Sequence, residues 1–156
     1  MARRYWLMKS EPHVFSWDHL LKEPDRTTCW DGVRNYQARN FLRDEIKVGD
    51  GVLFYHSSTD PTAVVGTAKV VRAGYPDPTQ FNRRSKYHDP ASSKDDPRWF
   101  AVDIKADKAL KRPVTLKEMR EKRGLEKMKL IQRGMRLSVM PVTASEWKIV
   151  TKLGGL

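Results

Sequence analysis

Two short segments carry residue types suited to holding a nucleobase: Lys9-Ser10-Glu11 and Trp30-Asp31-Gly32-Val33-Arg34-Asn35-Tyr36. Small polar groups at a strand end can hydrogen-bond the edge of a base. An indole such as Trp30 can stack on its face, worth about 1–3 kcal/mol per base in single-strand binders. Ser10 and Asn35 offer the donors and acceptors for a base edge, and the rigid fork of Arg34 suits a phosphate. Each also has an ordinary structural reading, Trp30 as a core aromatic and Asn35 as a helix cap, and the sequence leaves both open. Tyr55-His56-Ser57 form a second strand-end group. Arg83, Arg84 and Lys86, followed by Arg98, make a basic rim beside Tyr87, whose phosphate contacts would supply affinity rather than base identity.

Other chemistries lack their residues. No glycine-rich phosphate loop with its lysine and no dinucleotide fingerprint is present. His13, His19, His56 and His88 are too scattered for a metal-ligand series, and the acidic residues form no obvious acid–base pair. Cys29 is the only cysteine, so no internal disulfide or cysteine-based metal site forms, and beside Trp30 it reads as a small buried side chain. No catalytic residue, metal or cofactor is expected. Lys and Arg total 30 against 19 Asp and Glu, a formal charge of +11 that draws polyanions without distinguishing DNA from RNA. With neither a signal peptide nor an apolar run of membrane length, the expected setting is cytoplasmic, or nuclear in a eukaryote, with no membrane partner.

The elements that must position these residues are short. Tyr5 to Met8 reads as an opening strand, and Ser16 caps a helix over Trp17 to Leu21. Asn35 is a cap for Tyr36 to Arg43. Gly51 to His56 and Ala63 to Arg72 read as antiparallel neighbours, with Gly66 marking a bulge or a close backbone approach. Tyr75 to Pro97 holds four prolines and exceeds an ordinary connection, which makes it a candidate functional loop. Trp99 to Lys105 alternates like a half-buried strand, and Leu137 to Met140 is a short strand stopped by Pro141. Thr115 with Glu118, and Thr143 with Glu146, are capping-box patterns. The chain is expected to form one α+β domain over residues 1–156, built as a small mixed β-barrel or strongly curved sheet with surrounding short helices.

Ordered motifs add a resemblance. Tyr5-Trp6-Leu7-Met8-Lys9-Ser10-Glu11-Pro12, Trp30-Asp31-Gly32-Val33-Arg34-Asn35-Tyr36, Leu53-Phe54-Tyr55-His56-Ser57, Tyr75-Pro76-Asp77-Pro78-Thr79-Gln80-Phe81 and Asp96-Pro97-Arg98-Trp99-Phe100 resemble the EVE-domain family. That resemblance implies a PUA-like fold and a module that recognises modified bases, particularly modified cytosines in DNA; apart from it, the alternatives are an RNA-binding domain that reads a modified nucleotide and a protein-interaction domain whose pocket takes a small metabolite. It places the base pocket at Ser10, Trp30 and Asn35, then Lys9, Tyr55, His56 and Ser57, with Ser138 approaching it.

Overall fold

A computed structural model describes residues 3–156. The strands are β1 (Tyr5–Ser10), β2 (Thr27–Cys29), β3 (Gly51–His56), β4 (Ala63–Pro76), β5 (Phe100–Thr115) and β6 (Val139–Val142). The helices are α1 (Trp17–Lys22), α2 (Tyr36–Asn40), α3 (Leu116–Glu121) and α4 (Ala144–Leu153). All six strands join one mixed sheet in the order β2-β5-β4-β3-β1-β6. β1 and β3 run parallel, and every other pairing is antiparallel.

The expected barrel or strongly curved sheet is not what the chain forms. The sheet is open and mixed, with β2 and β6 as its two unpaired ends and helices around it. The end strands span only three and four residues, too short to meet and close a barrel. Trp6, Leu7 and Met8 are buried consecutively, and so are all residues from Gly51 to Tyr55. Such unbroken runs mark strands covered on both faces. Phe54 sits at the centre, edge-on to Trp17 at 5.4 Å and to Trp30 at 5.5 Å.

Several boundaries differ from the sequence reading for identifiable reasons. β5 runs ten residues past Lys105, pairing with β4 through Ala106, Lys108, Ala109, Val114 and Thr115, while the exposed Lys111 and Arg112 lie in a register shift and donate their N–H groups to the Gly154 carbonyl. Pro141 lies inside β6 rather than ending it, since an edge strand has one row of N–H groups that need no partner. α2 continues as a single π-helical turn over Phe41–Glu45. At Gly66 the β4–β5 register shifts, and an added Cβ there would lie 2.5 Å from the Trp17 ring. Among the described residues no helix is long and apolar enough to cross a membrane.

Candidate functional site

The carboxyl ends of β1 and β3 lie side by side, and the segment entering β6 joins them. Ser57 N–H donates to the Ser10 carbonyl at 2.9 Å, and Lys9 N–H donates to the Ser138 carbonyl at 2.9 Å. These bonds bring Lys9, Ser10, Ser57 and Ser138 to one wall of a cleft of about 620 Å³. The facing wall is the loop after β2. Trp30 N–H donates to the Val102 carbonyl at 2.8 Å, which fixes Trp30 and its neighbours Asp31 to Arg34 beside β5. Phe15 also lines the cleft, and the 82–98 excursion contributes Lys86 and Tyr87.

Asp77 organises the loop wall. It is completely buried, and its carboxylate accepts hydrogen bonds from Gly32 N–H at 2.8 Å, Arg34 Nη1 at 3.0 Å, Thr79 N–H at 2.8 Å and the Thr79 hydroxyl at 2.6 Å. Gly32 holds a left-handed φ of +78°, and a Cβ there would strike the Tyr87 ring at 2.7 Å. Glycine is therefore required for both backbone shape and space.

Arg34 is spent inside the protein. Its Nε and Nη2 donate to the Tyr87 carbonyl at 3.2 and 2.6 Å, and Nη2 also donates to Thr79 Oγ1 at 3.1 Å. Nη1 donates to the Val33 carbonyl and to Asp77, both at 3.0 Å. All five guanidinium donors thus meet protein oxygens, leaving none for a phosphate.

The buried Gln80 performs the same service for the long loop. Its amide nitrogen donates to the carbonyls of Asp77 and Trp99 at 2.7 and 2.8 Å, while its oxygen accepts from the Ser92 hydroxyl at 2.5 Å and Trp99 N–H at 3.1 Å. Trp99 then donates its indole N–H to Asp89 at 2.7 Å. A fully satisfied buried network of this kind fixes a loop in one conformation.

Burial shifts several groups that line the cleft. Burial lowers the pKa of Lys9, whose ammonium enters no ion pair among the described residues. Burial pushes the Cys29 thiol up to about 11, with Asp31, Asp103 and Asp77 adding to the rise, so the thiol stays protonated and unreactive at neutral pH. Desolvation at the wall, with Asp77 behind it, raises the Asp31 carboxyl although that residue still meets solvent.

Of the sequence candidates, Lys9, Ser10, Trp30, Ser57 and Ser138 converge on the cleft together with Arg34 and Lys86. Ser10 is partly committed, donating its hydroxyl proton to the Phe15 carbonyl. Trp30 combines its two readings: it lines the cleft, yet it is only 8% exposed and packs on Phe54. Asn35, Tyr55 and His56 lie outside the cleft. Asn35 Oδ1 caps α2 by accepting from Ala38 N–H at 3.0 Å, and Tyr55 is buried in the core. His56 Nε2 accepts from Trp17 N–H at 3.0 Å at the start of α1, and burial lowers its pKa despite the opposing charge of Asp18. Arg83, Arg84 and Arg98 are exposed and line no part of the cleft. The sequence reading missed Asp77, Gln80 and Tyr87 as site residues. Two signals were available, the length of the segment that contains them and, for Asp77 and Gln80, the motif from Tyr75 to Phe81.

With this geometry in place, comparison with known proteins is informative. The EVE domain family matches residues 4–153. Mouse thymocyte nuclear protein 1 is 42% identical, the alignment covering 96% of this chain and 73% of the mouse protein. The crystal structure of human THYN1 in complex with 5-methylcytosine-containing DNA is 40% identical with a TM-score of 0.91, covering 98% of each chain. A crystal structure of a Pseudomonas syringae protein is 44% identical with a TM-score of 0.90, covering 96% of this chain and 99% of that one. The chain belongs to the EVE-domain family.

Proposed function

We propose that this protein is a non-catalytic DNA-binding module that recognises a modified cytosine by taking the base into the cleft between Lys9 and Trp30. The observation that carries this reading is the likeness of nearly the whole chain to human THYN1, which was solved with 5-methylcytosine-containing DNA. A preorganised cleft of about 620 Å³ supports it, since a nucleobase and its sugar fit a concavity of that size. A nuclear setting in a eukaryotic cell agrees with the name of the vertebrate relatives.

The chemistry of recognition follows from the walls. Removing a base from its stack costs a few kcal/mol, which contacts inside the cleft must offset. Trp30 and Tyr87 supply aromatic surface, and the Lys9 ammonium supplies donors for the ring nitrogen or carbonyl of cytosine. The Ser57 and Ser138 hydroxyls can donate or accept, and the Asp31 and Glu11 carboxylates can accept from the exocyclic amine. Burial of one methyl group contributes only about 0.8 kcal/mol, roughly a fourfold preference. Any larger discrimination must come from shape and from polar groups left unpaired by the wrong base.

The test is a matched panel of oligonucleotides at fixed salt, with cytosine and modified cytosine in otherwise identical DNA and RNA strands. Tighter binding to the modified DNA is expected. Equal affinity for modified and unmodified strands of both polymers would overturn base reading. Preference for a modified RNA strand would move the assignment to RNA.

A further inference from the structure

Behind the loop wall lies a second depression, of about 320 Å³, lined by Asn35, Gln37, Lys129, Arg133, Arg136 and the apolar groups beneath them. We infer that this basic depression holds the sugar–phosphate backbone of the same strand whose base enters the cleft. The inference rests on the base-reading function proposed above, and three observations carry it.

The first is charge without a counter-charge. Lys129, Arg133 and Arg136 all face the depression, no acidic residue lines it, and none of the three joins an ion pair among the described residues. All three are exposed. Asn35 adds two amide donors, because its cap on α2 uses only its oxygen. Guanidinium forks beside amide donors match the geometry of phosphate oxygens.

The second is preorganisation. Gln132 Nε2 donates to the Glu126 and Met128 carbonyls, both at 3.0 Å, and Met135 N–H donates to the Gln132 carbonyl at 3.2 Å. These bonds hold the turn that carries Arg133 and Arg136. Gly134 within it takes a φ of +76°, which a residue with a side chain rarely adopts.

The third is continuity with the cleft. Arg34 lines the cleft and Asn35 the depression; Ser138 lines the cleft and Leu137 the depression. A single residue step on each of two segments therefore separates the two concavities. Of the three cations that line the cleft, Arg34 is fully engaged and Lys9 is half-buried, which leaves the exposed Lys86. The depression beside it adds three exposed cations, none of them joined to an acid among the described residues.

The experiment uses the full chain and the double variant Arg133→Gln/Arg136→Gln. Each is titrated with modified and unmodified single-stranded DNA across a salt series, and with the free modified nucleoside. Loss of two phosphate contacts should reduce the slope of log affinity against log salt by about 1.4, because each contact to a single strand contributes about 0.7. The modified-to-unmodified affinity ratio and the nucleoside affinity should match those of the unaltered protein. An unchanged salt slope overturns the inference, and so does loss of nucleoside binding, which would make the arginines part of the cleft. A wild-type ratio of one on every strand would overturn base reading alone, because the slope comparison remains measurable on either strand.

Discussion

Arg34 and the pair Arg133 and Arg136 carry the same guanidinium on the two sides of one ridge, yet the protein uses them in opposite ways. Every donor of Arg34 meets a protein oxygen, and its face lies over Trp99 at 5.2 Å and Tyr87 at 5.5 Å. Arg133 and Arg136 face an open depression without a carboxylate in reach. One arginine orders a wall, and the others remain available to a polyanion. Local charge density therefore does not identify a phosphate contact. The accounting of donors does, since a cation already satisfied gains little from a new anion.

The largest break of this comparison is Asp77→Ala. It removes the carboxylate shared by Gly32, Arg34 and Thr79 and leaves a mostly buried cation uncompensated. A stability loss of about 3–5 kcal/mol is expected in denaturant titration, together with loss of binding to modified DNA. A loss below about 1 kcal/mol, the scale of a surface pair, would show that Asp77 does not organise the wall.

Arg34→Lys sharpens the same contrast. It keeps the charge but replaces a planar fork of five donors by a single ammonium. Stability should fall by about 1–3 kcal/mol, as for hydrogen bonds to charged groups, while the salt slope for DNA stays unchanged. A smaller slope would assign Arg34 to a phosphate and erase its difference from Arg133.

The smallest effect concerns His56, another polar side chain engaged internally. Its folded pKa is held below the ordinary value, first by burial, and its neutral Nε2 accepts from Trp17 N–H. The unfolded chain binds a proton as pH falls through about 6.5, before the folded protein does. The stabilisation is therefore fully present above about pH 6.5 and is lost as pH falls through the folded value. The His56→Gln variant should lose about 1 kcal/mol at pH 7.5 and show a flatter stability profile between pH 7.5 and 5. An identical profile in both proteins would remove His56 from the acid sensitivity.

Legibility in the sequence followed the range of the interactions. Ser16, Asn35, Thr115 and Thr143 each accept from a backbone N–H three residues ahead; spacing marked three of them as caps, and for Asn35 it left a cap and a base-edge role open. The opening strand and the β3–β4 pairing were likewise readable from composition and short connections. Asp77 and Gln80 were not. Asp77 meets Gly32 and Arg34 across 45 and 43 residues, and Gln80 meets Trp99 across 19, so the local motif that contains them does not announce their partners. The open sheet escaped for a related reason, because strand alternation states which face is buried but not whether the ends of a sheet meet.

By itself the sequence determined a basic chain, its helix starts, the two segments that line the cleft, and membership in a family through ordered motifs. Only the tertiary structure decided which polar groups are free. It turned Asn35 and His56 to helix starts, committed Arg34 to Asp77 and Tyr87, and left Lys9 half-buried without a counter-charge. A residue type fixes how many donors a side chain has, whereas the fold fixes how many are already satisfied.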